Sequence, residues 1–255
     1  MVSMLLESWF GMSMADAMCG GLEKLSADNT ARVEAAMARL EQGEPVQYVL
    51  GEACFCGHRF SVCPGVLIPR PETEQLCQIV SERIARCSSP SVLDICTGSG
   101  CIAVSLALGT PRSTVEAWDI SPDALRVAAD NAARLGAAVR VLCQDALCPP
   151  HHHCRWDAVV SNPPYIPSDQ LAHLDKQVQH EPAIALDGGA DGLKFYRIIS
   201  CLWKEVLKEG GLLAFEIGFE QGEAVSELLR QSGYGEVKVI KDLGGNDRVV
   251  TGIKL

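Results

Sequence analysis

From Ser91 onward the chain alternates short apolar, β-branched runs with amphipathic stretches, and this alternation narrows its possible folds more than any other feature. Residues 91–96, 114–118, 139–143, 156–160, 212–217, 235–240 and 248–253 read as seven strands. Helices are expected at 101–108, between strands five and six, and at 192–207. A further helix should open at Ser121-Pro122-Asp123, which combines an N-cap with a first-turn proline, and stop at Gly136. Parallel strands need long crossovers, and helices in those crossovers cover both faces of the sheet. The expected fold class is therefore α/β: a Rossmann-like, doubly wound, mostly parallel seven-stranded sheet over 91–255.

The first ninety residues follow another pattern. Two helical stretches open the chain. The second should be capped by Asp28, carry Val33, Met37 and Leu40 on one face, and stop at Gly43. Residues 55–62 read as a short hairpin ended by Pro64-Gly65. The run 67–74 then leads into a helix with Pro71 in its first turn. Glu72 and Glu74 suit the positive end of its dipole, and Leu76, Ile79, Val80 and Ile84 form its apolar stripe. The expected division is a small helical domain at 1–50, a linking hairpin and linker helix at 51–90, and the sheet domain at 91–255.

Composition excludes several classes of function. The 22 basic residues face 32 acidic ones, a formal net charge of −10, and no basic run is present. Nucleic-acid readers need a field of Lys and Arg to displace phosphate counterions, so direct nucleic-acid binding is not expected. An acidic surface suits a basic protein partner instead. No apolar run approaches the roughly 18 residues that signal a membrane span. The start, Met1 to Leu6, lacks a basic region and is followed by Glu7, so neither a secretory signal nor a membrane is expected and a cytoplasmic location is. Twelve cysteines occur without a Cys-x-x-Cys pair, so no disulfide framework is expected; Cys96, Cys101, Cys143 and Cys201 read as small core hydrophobes. Cys148, His151, His152, His153 and Cys154 share one loop, but adjacent histidines are poorly spaced for a tetrahedral metal site, and no metal is expected.

Four signals fall just after four successive strands. Cys96-Thr97-Gly98-Ser99-Gly100 joins the first strand to its helix, and its glycines permit a tight turn beside a ligand. About 19 residues past Gly100, Asp119 ends the second strand, where a carboxylate can accept from ribose hydroxyls. Asp145 and Ala146 follow the third strand, at the position of an adenine edge. Asn162-Pro163-Pro164-Tyr165 follows the fourth. There a side-chain carbonyl, a stiff loop without N–H donors and an aromatic ring form a slot for a planar NH2 group. In an open α/β sheet these positions are the carboxyl ends of strands, where ligands bind. A nicotinamide dehydrogenase would share the first two signals but has no use for the fourth.

This pattern resembles class I methyltransferases that use S-adenosylmethionine and methylate planar amino groups. A closer resemblance rests on Gly43-Glu44-Pro45-Val46-Gln47-Tyr48, on Ile68-Pro69-Arg70-Pro71-Glu72-Thr73-Glu74, on Ser161 to Ile166, on Glu181-Pro182-Ala183 and on the ending Asp242 to Val250. These stretches, which span the chain from about Arg39 to its end, are similar to the peptide-chain release factor glutamine methyltransferases. The run 68–74 is the most specific, because nucleic-acid amino-methyltransferases do not share it. The resemblance implies S-adenosyl-L-methionine as cofactor, held by 96–100, Asp119, Asp145, Ala146 and Asn162. It implies a class 1 release factor as partner, with the glutamine of its Gly-Gly-Gln loop meeting Asn162, Pro163, Pro164 and Tyr165. The N-terminal helical domain would help dock that partner, and a monomer is expected. Two features depart from the family pattern. The segment before Gly43 is shorter than usual, and Cys96 replaces a common glycine, which requires negative φ there. Rival readings are a glutamine methyltransferase of a ribosomal protein, an adenine amino-methyltransferase of DNA or RNA, and a catalytically silent cofactor-binding adaptor.

Overall fold

A computed structural model describes residues 1–149 and 156–255. The expected seven-stranded sheet is present, in the order β5-β4-β3-β6-β7-β9-β8. Its strands are β3 (Ser91–Ile95), β4 (Thr114–Asp119), β5 (Val139–Cys143), β6 (Trp156–Ser161), β7 (Leu207–Glu216), β8 (Tyr234–Lys241) and β9 (Asp247–Lys254). Strands β3 to β7 run parallel, and β9 is antiparallel to both of its neighbours. The chain winds outward from β3 in one direction through β4 and β5, then returns to add β6 on the other side. That reversal opens a crevice at the carboxyl ends of β3 and β6. Ile95 pairs with Trp118 on one flank and Ser161 on the other, so the loops after β3, β4 and β6 leave the sheet side by side.

Both faces are covered. One apolar cluster packs Leu76, Val80 and Ile84 of the helix Thr73–Ile84 with Ile102, Val104 and Leu106 of the helix Cys101–Gly109 against the sheet. The opposite face is aromatic: Trp118 lies edge-on to Trp156 at 5.7 Å and to Trp203 at 5.5 Å, and Tyr196 is edge-on to Phe215 at 5.2 Å. A smaller cluster of Leu5, Ala36, Leu40, Val46 and Val49 holds the N-terminal helices Val2–Phe10, Ala27–Glu41 and Val46–Leu50 together.

Several details differ from the expectations. Ser26, not Asp28, caps the second long helix, its hydroxyl accepting from the Asn29 N–H; Asp28 lies in the first turn, where its charge meets the helix dipole. Pro71 precedes the linker helix, which starts at Thr73. The helix expected over 192–207 spans Lys194–Leu202 and tightens into a 3-10 turn over Trp203–Val206. Strand β7 starts at Leu207, earlier than expected, because Leu207 pairs with Trp156 and an irregularity at Gly210-Gly211 restores register at Leu212. Cys143 and Cys201 are exposed rather than core, one at the end of an edge strand and one on a solvent-facing side of its helix. All cysteines among the described residues are free thiols. The His151–His153 loop and Cys154 lie outside the described residues, and exposed Cys148 is the nearest described member of that group. No helix among the described residues is long and apolar enough to cross a membrane.

The hairpin β1 (Glu52–Phe55) and β2 (His58–Ser61) turns through Cys56-Gly57, both at positive φ, as a two-residue hairpin turn demands. It is tied to the sheet domain by Asn131, a fully buried residue of the helix Pro122–Leu135. The Asn131 Oδ1 accepts from the Ser61 N–H at 2.8 Å; its Nδ2 donates to the carbonyls of Ser61 at 3.0 Å and Ser99 at 2.9 Å. One side chain thus joins the hairpin, a helix and the turn after β3. Asn131→Ala leaves these backbone groups without partners and should lower the unfolding free energy by roughly 2–4 kcal/mol. Chemical denaturation measures this, and a loss under about 0.5 kcal/mol, the scale of a surface substitution, would show that the three contacts carry no weight.

Candidate active site

The turn after β3 is supported from beneath by Asp94, which sequence reasoning passed over. Its buried carboxylate accepts from the Thr97 hydroxyl at 2.6 Å and from the Ala103 N–H at 3.2 Å, and its other oxygen has no partner. Burial pushes the Asp94 carboxyl up to about 7, against the pull of those two hydrogen bonds. Gly100, at φ 78, is the N-cap of the following helix, and a Cβ there would meet the Ala128 Cβ at 2.9 Å. Cys96 corrects an expectation: its φ is +61, in the left-handed region. A cysteine there carries a strain of about 1–2 kcal/mol that glycine would not. Thr97 and Ser99 are buried under the turn rather than lining a cavity.

Asp119 closes the turn from β4. One carboxylate oxygen accepts from the Gly98 N–H and the other from the Ser121 N–H, each at 2.9 Å. Each oxygen keeps a further acceptor position. Asp145 accepts from the Leu147 N–H at 2.8 Å, and the adjoining Ala146 carbonyl receives the Trp203 indole N–H at 2.8 Å, which fixes the loop after β5 to the aromatic core.

Two cavities meet at this edge. The first, about 240 Å³, gathers Cys96, Gly98, Asp119, Asp145, Ala146, Asn162 and Pro164 from the sequence-expected set. Its remaining walls include the apolar Val66, Leu67, Ile120, Ile184 and Phe195 and the polar Ser121, Gln144 and Lys194; of these, Ile120, Lys194 and Phe195 belong to no motif singled out in the sequence and are placed here only by the fold. Carboxylates on one rim with apolar walls between them suit a ribose and a flat heterocycle, so the donor set fits an adenosyl group. The second cavity, about 210 Å³, is bounded by Leu67, Arg70, Asn162, Tyr165, Ile166, Leu174, Val178 and Leu186. Leu67, Asn162 and Ala185 belong to both. Pro163 is buried behind Asn162.

Asn162 Oδ1 is buried and has no partner, while its Nδ2 faces the Thr73 hydroxyl at 3.5 Å. A buried amide oxygen left without a donor costs roughly 1–3 kcal/mol, and a ligand N–H would recover that cost. The Tyr165 ring packs partly against the aromatic core, and burial pushes its phenol up to about 12. Gln221 Nε2 donates to the Tyr165 carbonyl at 3.0 Å, and Gly192, at φ 71, approaches that carbonyl so closely that a Cβ would fall 2.3 Å from it. The loop is therefore held on both sides. Glu181, buried, accepts from the Ile68 N–H at 3.1 Å and pairs with Arg70, so it ties the linker to the cavity wall. A larger hollow, about 1080 Å³, lies between the hairpin turn, the linker helix and the 242–246 loop, and contains none of the expected site residues.

The PrmC N-terminal domain family matches residues 1–51, and the Methyltransferase small domain family matches residues 72–181. A release factor glutamine methyltransferase of Moorella thermoacetica is 46% identical over 228 residues, covering 89% of this chain and 81% of that protein. One from Bacteroides thetaiotaomicron is 40% identical over 244 residues, covering 94% of this chain and 87% of its own length. The chain belongs to the release factor glutamine methyltransferase family. Among solved structures, a methyltransferase from Pyrococcus furiosus superposes with a TM-score of 0.59 at 18% identity, covering 90% of this chain and 99% of that one, which supports the fold. The two cavities lie where the fold reverses direction, at the carboxyl ends of β3 and β6.

Asp94 supplies a test of how the turn is held. Its carboxyl titrates near 4 when unfolded and near 7 when folded, so between those values the folded state holds the extra proton. Stability should therefore fall as pH rises from about 4 to about 7, by at most about 1.4 kcal/mol per pH unit, and Glu216, also pushed up to about 7 by burial, adds a slope of the same sign. Denaturation of Asp94→Asn across that range should show a flatter profile than the parent chain; an unchanged slope would contradict a buried carboxyl at 94.

Proposed function

We propose that the chain transfers a methyl group from S-adenosylmethionine to the side-chain amide nitrogen of the glutamine in the Gly-Gly-Gln loop of a class 1 peptide-chain release factor. The observation that carries this reading is the buried, partnerless Oδ1 of Asn162 at the junction of the two cavities, in a chain of this family. In this reading Asp119 accepts from the ribose hydroxyls with its remaining lone pairs, Asp145 and Ala146 bound the adenine, and the turn from Cys96 to Gly100 runs beside the cofactor. The cofactor supplies an electrophilic methyl group on a sulfonium. Asn162 and Pro163 hold the target: the Asn162 Oδ1 accepts one amide hydrogen and the Pro163 carbonyl the other, with Pro164 stiffening the loop and Tyr165 packing on the amide plane.

An amide nitrogen is a weak nucleophile, because its lone pair is delocalised into the carbonyl. Among the described residues, the lining of the second cavity offers no carboxylate or imidazole to remove a proton first, and Tyr165 stays protonated at neutral pH. Positioning is then the main contribution: two acceptors fix the nitrogen's orientation and the apolar wall excludes water. As positive charge grows on nitrogen during transfer, both acceptor contacts strengthen, so they stabilise the transition state more than the ground state. The surplus proton leaves to water afterwards.

The net charge of −10 suits a basic partner surface, and the small helical domain at 1–50 serves as its docking platform, with 51–90 as the link to the catalytic domain at 91–255. The protein acts as a monomer in the cytoplasm, where free thiols persist. Radiolabelled cofactor offered with release factor, ribosomal protein, DNA and RNA in separate reactions tests the substrate; label in the release factor alone is expected, and label only in another substrate would overturn the reading. Asn162→Ala should lower turnover by about 100- to 1,000-fold while cofactor affinity changes less than about tenfold. Turnover within a few-fold of the parent chain would remove Asn162 from the reaction.

A further inference from the structure

Asn162 can serve as an acceptor only if its amide is turned the right way, and the two ends of an amide have nearly the same shape. Something must therefore tell Oδ1 from Nδ2. The loop itself does not: its prolines lack N–H groups, and Oδ1 has no donor in the structure. The neighbour of Nδ2 is Thr73, the first residue of the linker helix, and its side chain is 2% exposed. Beyond it lies Glu216, the last residue of β7 and 1% exposed, whose carboxyl is pushed up by burial against the downward pull of the Thr73 hydroxyl. The second oxygen of Glu216 has no partner, and no ion pair joins it to Arg248, Arg70 or another cation among the described residues. Nothing in the packing of β7 calls for a buried carboxylate at this place.

We propose that Thr73 and Glu216 are positioning residues that fix which end of the Asn162 amide faces the substrate cavity. A hydroxyl has one proton and two acceptor positions. In its ionised form Glu216 only accepts, so it claims the Thr73 proton, and what Thr73 then presents to Asn162 is a lone pair. The amide answers with Nδ2, and Oδ1 is left aimed at the second cavity. At 3.5 Å the Asn162–Thr73 contact is at the long end of its range. The chain order explains the convergence: Thr73 comes from the linker, Asn162 follows β6 and Glu216 ends β7, which pairs with β6. The Pro71-Glu72-Thr73-Glu74 stretch thereby gains a function beyond starting a helix. This inference rests on the proposed role of Asn162.

The test uses the full chain with a release factor and compares Thr73→Val, which keeps the shape and removes the hydroxyl, Thr73→Ser, which restores it, Glu216→Gln, and the Thr73→Val/Glu216→Gln double variant. A neutral glutamine can donate to Thr73 and free the hydroxyl proton to pull Oδ1 around. Losing one oriented contact should lower kcat by about 10- to 100-fold for Thr73→Val and for Glu216→Gln. The KM for release factor and the cofactor Kd from calorimetry should stay within about threefold, because neither ligand touches these side chains. Thr73→Ser should recover most of the loss, and the double variant should be no slower than the slower single one, since both act through one amide. Full kcat in either single variant, multiplied losses in the double, or losses confined to KM or Kd would overturn the proposal. If Thr73→Val fails to fold by melting curve, Glu216→Gln carries the same expectation alone. Asn162→Ala run alongside separates the two ideas: an active Asn162→Ala defeats the role of Asn162, whereas an inactive one beside a fully active Thr73→Val defeats only this inference.

Discussion

The pairing of β3 with β6 is the constraint on which the rest of the molecule depends. Ile95 and Ser161 stand opposite each other at the ends of these strands, and the buried Ser161 hydroxyl donates to the Ile95 carbonyl at 2.6 Å. The next residue on one strand is Cys96, where the glycine turn starts; on the other it is Asn162. The two cavities can therefore share a wall only because the sheet reverses its winding there. A slip of one residue in this register would bury the Asn162 side chain or turn it outward and separate the two cavities.

Around that junction the linker and the sheet domain lock together through polar contacts between segments distant in sequence. Asn131 joins the hairpin to the glycine turn, Glu181 joins Ile68 and Arg70 to the segment before the helix Lys194–Leu202, and Glu74 accepts from the Cys56 N–H at 2.7 Å. Tyr48 donates to the Val66 carbonyl at 2.6 Å from the N-terminal side. These contacts hold Leu67 between the two cavities and set Thr73 beside Asn162. The linker thus acts as a wall of the active site as well as a tether between domains, which explains why a proline-rich run with two glutamates sits so close to the chemistry.

The sheet was legible because its strands are apolar, short and bounded by strong turn signals; every strand of it was found, and Ser121, Pro122 and Gly136 marked one helix at both ends. Asp119, Asp145 and Asn162 could be placed at one edge of the sheet because they end or follow successive strands. What stayed hidden depended on contacts across the fold. Ser26 and Asp28 are both good caps, and only the geometry of the helix start separates them. Asn131 reads as an ordinary polar residue on an amphipathic helix until the hairpin packs on it. Cys96 looked compatible with negative φ, because a tight turn's handedness is not written in the residue that bears its strain. Asp94 and Glu216 carry no sequence signal of their own, yet both are buried and pushed up to about 7. Thr73 sat within a recognised run whose role as a helix start concealed its contact with Asn162.

The central claim is that the Asn162 side-chain oxygen grips the glutamine amide. A crystal structure of the chain with S-adenosylhomocysteine and a class 1 release factor tests it most directly. The account predicts the glutamine amide nitrogen about 3 Å from the Asn162 Oδ1, with its second hydrogen directed at the Pro163 carbonyl. A glutamine seated in the same complex with Asn162 Oδ1 still lacking a donor, or with the amide turned so that Nδ2 faces the substrate, would contradict it.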